Sequence, residues 1–275
     1  MLKENYHIAV PTAFQGDETL DTKNTLNHIR RLYDQGIRSV LVCGSTGEQH
    51  SLNLDEKIEL LTALENEEVL INKMEIFFGV SSIRQSEAEV LASVISKTNI
   101  AAILLGYPPY LLPTQHEALM YSKSIISLAE KPVILYNNPA RTGFDLSIES
   151  VLELARLETV IGLKEAGNPN KASDILHNLS EKTFYIYAGG ERDLKQKIQY
   201  GFTRLSSIAG NIAPIKIQSW FENLLSGKTI QQEELDNITV TLNAIYNSSP
   251  IVNVKRELGH QGTNLGTCRK PLGNS

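Results

Sequence analysis

The chain has 275 residues, of which 41% are hydrophobic and 21% are charged, a composition typical of an ordinary globular protein. No apolar run approaches the ~20 residues that span a bilayer, so we do not expect a membrane protein. Lys and Arg number 26 against 31 Asp and Glu, and no block of five or more basic residues occurs. This argues against a nucleic-acid-binding protein and leaves a small molecule as the expected partner.

The cysteines and histidines predict neither a disulfide nor a metal site. Cys43 and Cys268 stand far apart, and the N-terminus lacks a secretory signal pattern, so we expect a cytoplasmic protein. The six histidines are scattered, and none falls in an H-x-x-x-H or H-x-H spacing that would place two imidazoles on one ion. No glycine-rich nucleotide-binding motif follows a predicted strand, and we expect no nucleotide cofactor.

Strand-like and helix-like runs alternate along the chain. A first strand over Tyr6–Pro11 precedes a helix over Asp21–Gln35, which Gly36 ends. The later predicted strands are Arg38–Cys43, Glu75–Gly79, Ile100–Leu105, Pro132–Tyr136, Val160–Lys164, Phe184–Ala188 and Arg204–Ala209. The helices between and after them are Leu54–Leu70, Gln85–Lys97, Thr114–Glu130, Ser147–Leu157, Asn170–Leu179, Glu191–Tyr200 and Ala213–Leu225.

Eight such units, each of about 30 residues, predict an α/β protein with a parallel sheet. We expect this sheet to close into a (β/α)8 TIM barrel over residues 1–225, and an open doubly wound sheet is the alternative. The remaining runs are helical only, over Thr229–Tyr246 and Ile251–Leu258. Residues 226–275 are therefore predicted to form a small C-terminal helical segment.

Reactive side chains follow several predicted strands. Lys164 ends a buried apolar run directly before a cluster of turn-forming residues. In a barrel the C-terminal strand ends carry the chemistry, so Lys164 is a candidate catalytic residue; a structural lysine paired with a carboxylate is the alternative. The small residues Gly189 and Gly210 end the last two strands, where they would leave room for a ligand near the lysine.

The same strand ends suit Schiff-base chemistry on a 2-oxo acid. A neutral amine can attack the ketone, and burial lowers the pKa of lysine toward that form. Tyr136, linked to the Ser45 hydroxyl, is a candidate for proton transfer at the carbonyl oxygen. The amides of Ser45 and Thr46 would bind the carboxylate of the 2-oxo acid. The Arg141 guanidinium could form bidentate hydrogen bonds with the carboxylate of a second substrate.

Three separated motifs, Gly44–Glu48, Tyr136–Gly143 and Gly162–Glu165, resemble those of one family in order and position. The chain is identified on them as a member of the dihydrodipicolinate synthase/N-acetylneuraminate lyase superfamily of lysine-dependent pyruvate aldolases and synthases. The resemblance spans nearly the entire chain. It implies a TIM barrel in which Lys164 forms a covalent imine with pyruvate, without a separate cofactor.

The resemblance also implies roles for other residues. Tyr136 matches the catalytic tyrosine, Ser45 the hydroxyl that relays protons, and Thr46 the position that binds the pyruvate carboxylate. Tyr110 matches a tyrosine that reaches across a dimer interface to complete the relay of the neighbouring subunit. The expected assembly is therefore at least a dimer and, as is common in the family, a homotetramer.

Arg141 resembles the synthase branch, where the arginine binds the carboxylate of aspartate semialdehyde. The expected reaction is therefore that of 4-hydroxy-tetrahydrodipicolinate synthase, the condensation of pyruvate with aspartate semialdehyde. One alternative is a pyruvate aldolase of another specificity, acting on N-acetylneuraminate or a 2-oxo-3-deoxy sugar acid. The other is a catalytically idle paralogue that binds a 2-oxo acid.

Several positions depart from the family pattern. Ser206 stands where a branched apolar residue normally packs beside the pyruvate, and Arg204 replaces a glycine before it, which we expect to alter substrate choice. Only the second of two adjacent tyrosines is kept, as Tyr110. Most positions of the lysine feedback site differ, so we expect no inhibition by lysine. We expect a shortened C-terminal segment that lacks the last helix of most relatives. We expect Glu48 to brace the site rather than act as a base.

Overall fold

The computed structural model describes residues 2–273. Its eight parallel strands form a closed barrel in which each strand pairs with the next and the last pairs with the first. The strands are β1 (Tyr6–Ala9), β2 (Ser39–Val42), β3 (Glu75–Val80), β4 (Ala102–Gly106), β5 (Val133–Asn137), β6 (Val160–Glu165), β7 (Tyr185–Ala188) and β8 (Arg204–Ser207). The predicted TIM barrel is confirmed, and the open sheet is wrong.

Helices connect the strands and continue after the barrel. In the described part of the chain they are α1 (Thr22–Asp34), α2 (Leu54–Glu65), α3 (Glu68–Lys73), α4 (Gln85–Ile95), α5 (Gln115–Ala129), α6 (Pro139–Thr142), α7 (Ile148–Leu154), α8 (Lys171–Asn178), α9 (Leu194–Gln199), α10 (Pro214–Leu225), α11 (Gln232–Tyr246) and α12 (Pro250–His260). Short 3-10 turns occupy Gln49–Ser51 and Ala209–Asn211. Over residues 2–273, no helix combines the length and the apolar character needed to cross a bilayer.

Polar caps explain where several helices begin. Asp21 accepts a hydrogen bond from the Asn24 amide at the start of α1, and Asn53 and Thr114 form capping boxes at the starts of α2 and α5. The predicted continuous helix over Leu54–Leu70 is wrong, because Glu67 leaves helical geometry between α2 and α3. Its carboxylate pairs with Arg30 on α1. The apolar spacing of the sequence reveals neither the break nor this long-range contact.

The C-terminal helices pack on the barrel. Helices α11 and α12 contact each other, and both contact the 3-10 turn after β8. A buried ion pair joins Lys255 of α12 to Glu48, with 2.6 Å between Nζ and Oε1. The division of the chain into two parts at residue 225 stays a prediction.

The barrel interior is filled by side chains in layers, and two of these layers matter for the site. The sheet register and the tilt of barrel strands place Leu41, Leu104, Lys164 and Ser206, from the even-numbered strands, in one layer. The odd-numbered strands contribute His7, Phe77, Ile134 and Tyr187 to the layer beneath. Ring contacts confirm that His7 lies beside Phe77 (4.7 Å between centroids) and Tyr187 (5.2 Å).

Arg204 closes the N-terminal end of the barrel. Its Nη2 donates to the Leu2 carbonyl at 3.0 Å, its Nη1 donates to the Glu4 carbonyl, and its guanidinium lies 3.7 Å from the Tyr185 ring centroid. Because Arg204 begins β8 and Lys164 lies near the end of β6, the arginine occupies the end of the barrel away from the predicted site. These contacts of Arg204 lie away from the predicted site, so they give it no means of altering substrate choice.

Replacing Arg204 with alanine is expected to lower the free energy of unfolding by ~1–3 kcal/mol, because two carbonyls lose their buried donor. Urea unfolding followed by circular dichroism measures this change. Arg156→Ala is the control, since Arg156 is exposed. Equal unfolding midpoints for the Arg204 variant and the unmodified chain would show that the guanidinium does not hold the N-terminal segment.

Candidate active site

Lys164 and Tyr136 lie side by side near the C-terminal ends of β6 and β5. They are register partners in the sheet, and Lys164 Nζ lies 4.7 Å from the centroid of the Tyr136 ring. Both strands are apolar runs that bury the barrel wall, so the two polar side chains are held by rigid elements. The Lys164 side chain is enclosed, with only 6% of its residue surface exposed.

The environment of Lys164 favours the neutral amine. Burial is the largest effect and lowers the pKa of Lys164; the charge of Tyr136 opposes it, the charge of Arg141 lowers the pKa further, and the charge of Glu191 has a smaller opposing effect. Within residues 2–273, none of the ion pairs involves Lys164. The alternative, a structural lysine, requires a paired carboxylate, and the described residues provide none for Lys164.

Two polar side chains hold the Tyr136 hydroxyl. Asn138 Nδ2 donates to it at 2.7 Å, and Ser45 Oγ lies 3.4 Å away. Burial alone would raise the pKa of Tyr136, but the charge of Lys164, these two hydrogen bonds and the charge of Arg141 bring it below its usual value. The phenol is thus suited to give up and regain a proton. Asn138 was visible in the sequence only as a turn-forming residue.

The turn after β2 offers free backbone donors. Thr46 is buried and Ser45 is half-buried, and the amides of both residues donate to no group in the described part of the chain. The turn is fixed from outside, since Thr12 Oγ1 donates to the Gly47 carbonyl at 2.7 Å. Two adjacent N–H groups of this kind form a concavity that suits an anion such as a carboxylate.

The two glutamates of the motifs contact the protein frame. Glu48 accepts from the Arg269 amide at 3.0 Å as well as pairing with Lys255, so it ties the turn after β2 to the C-terminal segment. Glu165 accepts from Asn137 Nδ2 at 2.9 Å and from the Gly167 amide at 2.5 Å. Burial raises the pKa of Glu165. These contacts agree with a bracing role.

A cavity of about 360 Å³ opens at this end of the barrel. Ser45, Tyr136, Asn138 and Arg141 line it, whereas Lys164 itself does not. His50 also reaches the cavity; burial lowers the pKa of His50, the charge of Glu48 opposes this, and the charges of Arg141 and Lys57 lower the pKa further. The sequence did not place three further wall residues there: Ser249, Ile251 and Leu272.

The cavity wall does not include the predicted site residues Tyr110, Gly189 and Ser206. Tyr110 is 87% exposed, with a left-handed backbone (φ 80°), and within residues 2–273 the hydrogen bond between Ser45 and Tyr136 does not include its side chain. Beside Gly189, the position of an added Cβ falls 2.7 Å from Ala166 Cβ, so the chain's own atoms occupy that space. Ser206 is buried in the layer that contains Lys164.

A family model connects this geometry to known proteins. The model of the Dihydrodipicolinate synthetase family matches residues 3–275. The chain belongs to this family. Among curated relatives, the 4-hydroxy-tetrahydrodipicolinate synthase of Methanococcoides burtonii is 29% identical over 266 residues, which cover 96% of this chain and 90% of the relative. The enzyme of the same name from Ligilactobacillus salivarius is 26% identical over 98% of this chain and 93% of the relative.

Solved structures in the Dihydrodipicolinate synthetase family share the fold. Dihydrodipicolinate synthase from Cyanidioschyzon merolae, crystallised with lysine bound, has a TM-score of 0.87 at 23% identity and covers 98% of this chain and 92% of that structure. The enzyme from Acinetobacter baumannii, complexed with pyruvate, has a TM-score of 0.82 at 25% identity over 98% of this chain and 92% of that structure. The family membership supports a class I pyruvate-dependent aldolase or synthase. Over residues 2–273, no cluster of three or more His, Cys, Asp or Glu side chains is arranged to hold a metal ion.

Proposed function

We propose that this chain is a Schiff-base lyase or synthase that condenses pyruvate with an aldehyde. The observation that carries the proposal is the enclosed Lys164 amine, with its lowered pKa and its position beside Tyr136. Nζ attacks C2 of pyruvate, the carbonyl oxygen takes up protons and leaves as water, and a C=N bond to Nζ replaces C=O. The covalent imine needs no separate cofactor.

The other groups take the supporting roles. The free amides of Ser45 and Thr46 hold the pyruvate carboxylate, while Tyr136 and Ser45 move protons to and from the oxygen at C2. Tyr110 of a second copy completes the relay, so the active form is at least a dimer, and we propose a cytoplasmic homotetramer. The exposure of the Tyr110 side chain leaves it accessible to another subunit.

Trapping with borohydride tests the Schiff base. Incubation with pyruvate and sodium borohydride is expected to add one reduced pyruvate to Lys164, located by peptide mass mapping. A catalytically idle paralogue that binds a 2-oxo acid without covalent chemistry would give no adduct. Absence of an adduct on Lys164 would therefore end the enzyme proposal.

Tyr136→Phe is expected to lower kcat by a factor of ~10²–10⁴, because it removes the hydroxyl that transfers protons. Steady-state kinetics with saturating pyruvate measure this effect. Tyr121→Phe is the matched control, since Tyr121 is a buried tyrosine whose hydroxyl donates to the Gly106 carbonyl at 3.3 Å. Equal losses of kcat in the two variants would assign Tyr136 to packing rather than to proton transfer.

The second substrate in this proposal is aspartate semialdehyde, which makes the chain a 4-hydroxy-tetrahydrodipicolinate synthase. The names of the curated relatives and the position of Arg141 in the cavity wall support this choice. Coupled assays compare aspartate semialdehyde with N-acetylneuraminate and with 2-oxo-3-deoxy sugar acids. Turnover of either competitor with a higher kcat/KM would replace the synthase assignment by the lyase alternative.

Arg141→Ala is expected to raise the KM for aspartate semialdehyde roughly 10- to 100-fold, because a charge-assisted contact to its carboxylate is lost. The KM for pyruvate serves as the internal reference in the same assay. If the KM values for aspartate semialdehyde and pyruvate rise by the same factor, Arg141 does not bind the carboxylate of the aldehyde substrate.

A further inference from the structure

Two polar atoms in the barrel interior are buried without a hydrogen-bond partner among the described residues. They are His7 Nε2 and Ser206 Oγ, and each residue is only 1% exposed. The two residues are register partners on the adjacent strands β1 and β8. Buried polar atoms nearly always have partners, so two orphans on paired positions indicate a ligand group that contacts both.

The pair lies next to Lys164. Ser206 shares a barrel layer with Lys164, and His7 belongs to the layer directly beneath, where it contacts the rings of Phe77 and Tyr187. The charge of Lys164 acts on His7 and contributes to lowering the pKa of His7, after the larger effect of burial. The strand register therefore places Ser206 beside the Lys164 side chain and His7 beneath it.

The layer that contains Lys164 is less filled on the side of β8. Leu41 and Leu104 contribute long side chains to it, whereas Ser206 contributes a small one. Interior side chains of a TIM barrel normally fill such layers with bulky branched residues. A small polar residue in this position leaves the space beside Lys164 to a substituent of the substrate.

The chemistry of the pair selects a hydroxyl group. His7 is held neutral, because burial and the charges of Lys164 and Arg204 lower its pKa well below the usual value. A neutral ring nitrogen donates or accepts according to its tautomer, and a serine hydroxyl does either. A ligand hydroxyl can both donate and accept, so it can bond to the serine hydroxyl and to either tautomer of the histidine. A carboxylate requires donors from both, and an ammonium group requires acceptors from both.

We propose that His7 and Ser206 bind a hydroxyl group on C3 of the 2-oxo acid held by Lys164. Since the amine bonds to C2 and the free amides of Ser45 and Thr46 are proposed to hold the C1 carboxylate, C3 is the remaining neighbour of the bonded carbon. The chain would then accept 3-hydroxy-2-oxo acids in addition to pyruvate. This inference rests on the proposed Schiff-base function and extends it to the class of the first substrate.

Three probes of similar size test the inference in the borohydride experiment. Pyruvate is the reference, 3-hydroxypyruvate carries the C3 hydroxyl, and 2-oxobutyrate carries a methyl group in its place. The concentration of each probe that gives half-maximal adduct on Lys164 is measured by peptide mass mapping. For the unmodified chain, 3-hydroxypyruvate is expected to reach half-maximal adduct at a concentration about tenfold lower than 2-oxobutyrate.

Ser206→Ala and His7→Phe are each expected to reduce this preference several-fold. Phenylalanine keeps the ring contacts of His7, and Ser206→Ala decides the question if the His7 variant does not fold. Ser39→Ala is the matched control, because Ser39 is a buried serine of β2 whose hydroxyl donates to the Glu75 carbonyl, and it should keep the preference. A change in packing alone weakens trapping of both probes in proportion and leaves their ratio unchanged.

The outcomes separate this inference from the proposed function. Equal trapping of 3-hydroxypyruvate and 2-oxobutyrate, or a ratio that Ser206→Ala and His7→Phe leave unchanged, overturns the hydroxyl site while the pyruvate adduct on Lys164 still stands. Failure of pyruvate itself to form the adduct overturns both. A preference for 3-hydroxypyruvate that Ser206→Ala reduces and Ser39→Ala retains supports the site.

Discussion

Lys164→Ala is expected to abolish the pyruvate adduct and to lower kcat by at least ~10⁴-fold, because the variant lacks the amine that forms the imine. The remaining groups of the site still bind the carboxylate and position the phenol, but without a nucleophile they have no covalent intermediate to act on. Steady-state turnover and borohydride trapping on the same preparation measure both effects.

Lys123→Ala is the control for a general loss of lysine charge. Lys123 lies on α5 and forms a surface ion pair with Glu153, at 2.5 Å between Nζ and Oε1, and such pairs contribute little to stability. This variant should keep both the adduct and the turnover. Adduct formation that survives in Lys164→Ala would move the nucleophile to another lysine.

The pH dependence of trapping provides a second readout on Lys164. Because burial lowers the pKa of Lys164, the neutral amine accumulates at a lower pH than for an exposed lysine. The rate of imine formation should therefore rise with pH and reach its plateau below the usual lysine pKa of 10.5. A plateau at or above that value would contradict the effect of burial.

Lys255→Ala is expected to destabilise the chain by ~3–5 kcal/mol, because it leaves the carboxylate of Glu48 buried without its counter-charge. The Lys255 side chain is only 3% exposed and that of Glu48 is fully buried. The Lys255 amine also donates to the Thr267 carbonyl at 3.0 Å. Since Glu48 ends the turn that carries Ser45 and Thr46, the variant should also lose activity at temperatures where it remains folded.

Two companion variants test this interpretation by urea unfolding. Arg256→Ala changes the neighbouring, exposed basic residue of α12 and should leave the unfolding free energy close to that of the unmodified chain. The double variant Glu48→Gln with Lys255→Met removes both charges and should recover part of the lost stability. A double variant less stable than Lys255→Ala would show that the pair itself is not the cause.

The closeness of Tyr136 and Lys164 was predictable from the sequence. Both end apolar runs followed by turn residues, and consecutive strands of a parallel barrel are neighbours whose C-terminal ends face the same side. What the sequence did not contain was the register that aligns the two residues, or the Asn138 contact that holds the phenol. The register depends on hydrogen bonds that form only when β5 and β6 pair, and the Asn138 contact depends on the backbone conformation of the turn after β5.

The sequence also did not predict which side chains of the buried strands point into the barrel. In a parallel barrel both faces of a strand are covered, so polar and apolar residues do not alternate, and all four residues of β1 are buried. The tyrosine, histidine and two apolar residues of this strand give no sign that His7 points toward the lysine. Likewise, Arg204 next to Ser206 was expected at the substrate and instead closes the far end of the barrel.

The sequence by itself determined the fold class and the family, and it predicted that Lys164, Tyr136 and Ser45 lie at the same end of the barrel, because periodicity and motif spacing are local properties of the chain. Only the tertiary structure decided which residues complete the cavity. Ile251 and Leu272 reach its wall from the C-terminal segment. A buried ion pair joins Lys255 of this segment to Glu48, which lies about 200 residues earlier in the sequence. Contacts over such distances are set by packing of the whole barrel, and no local pattern encodes them.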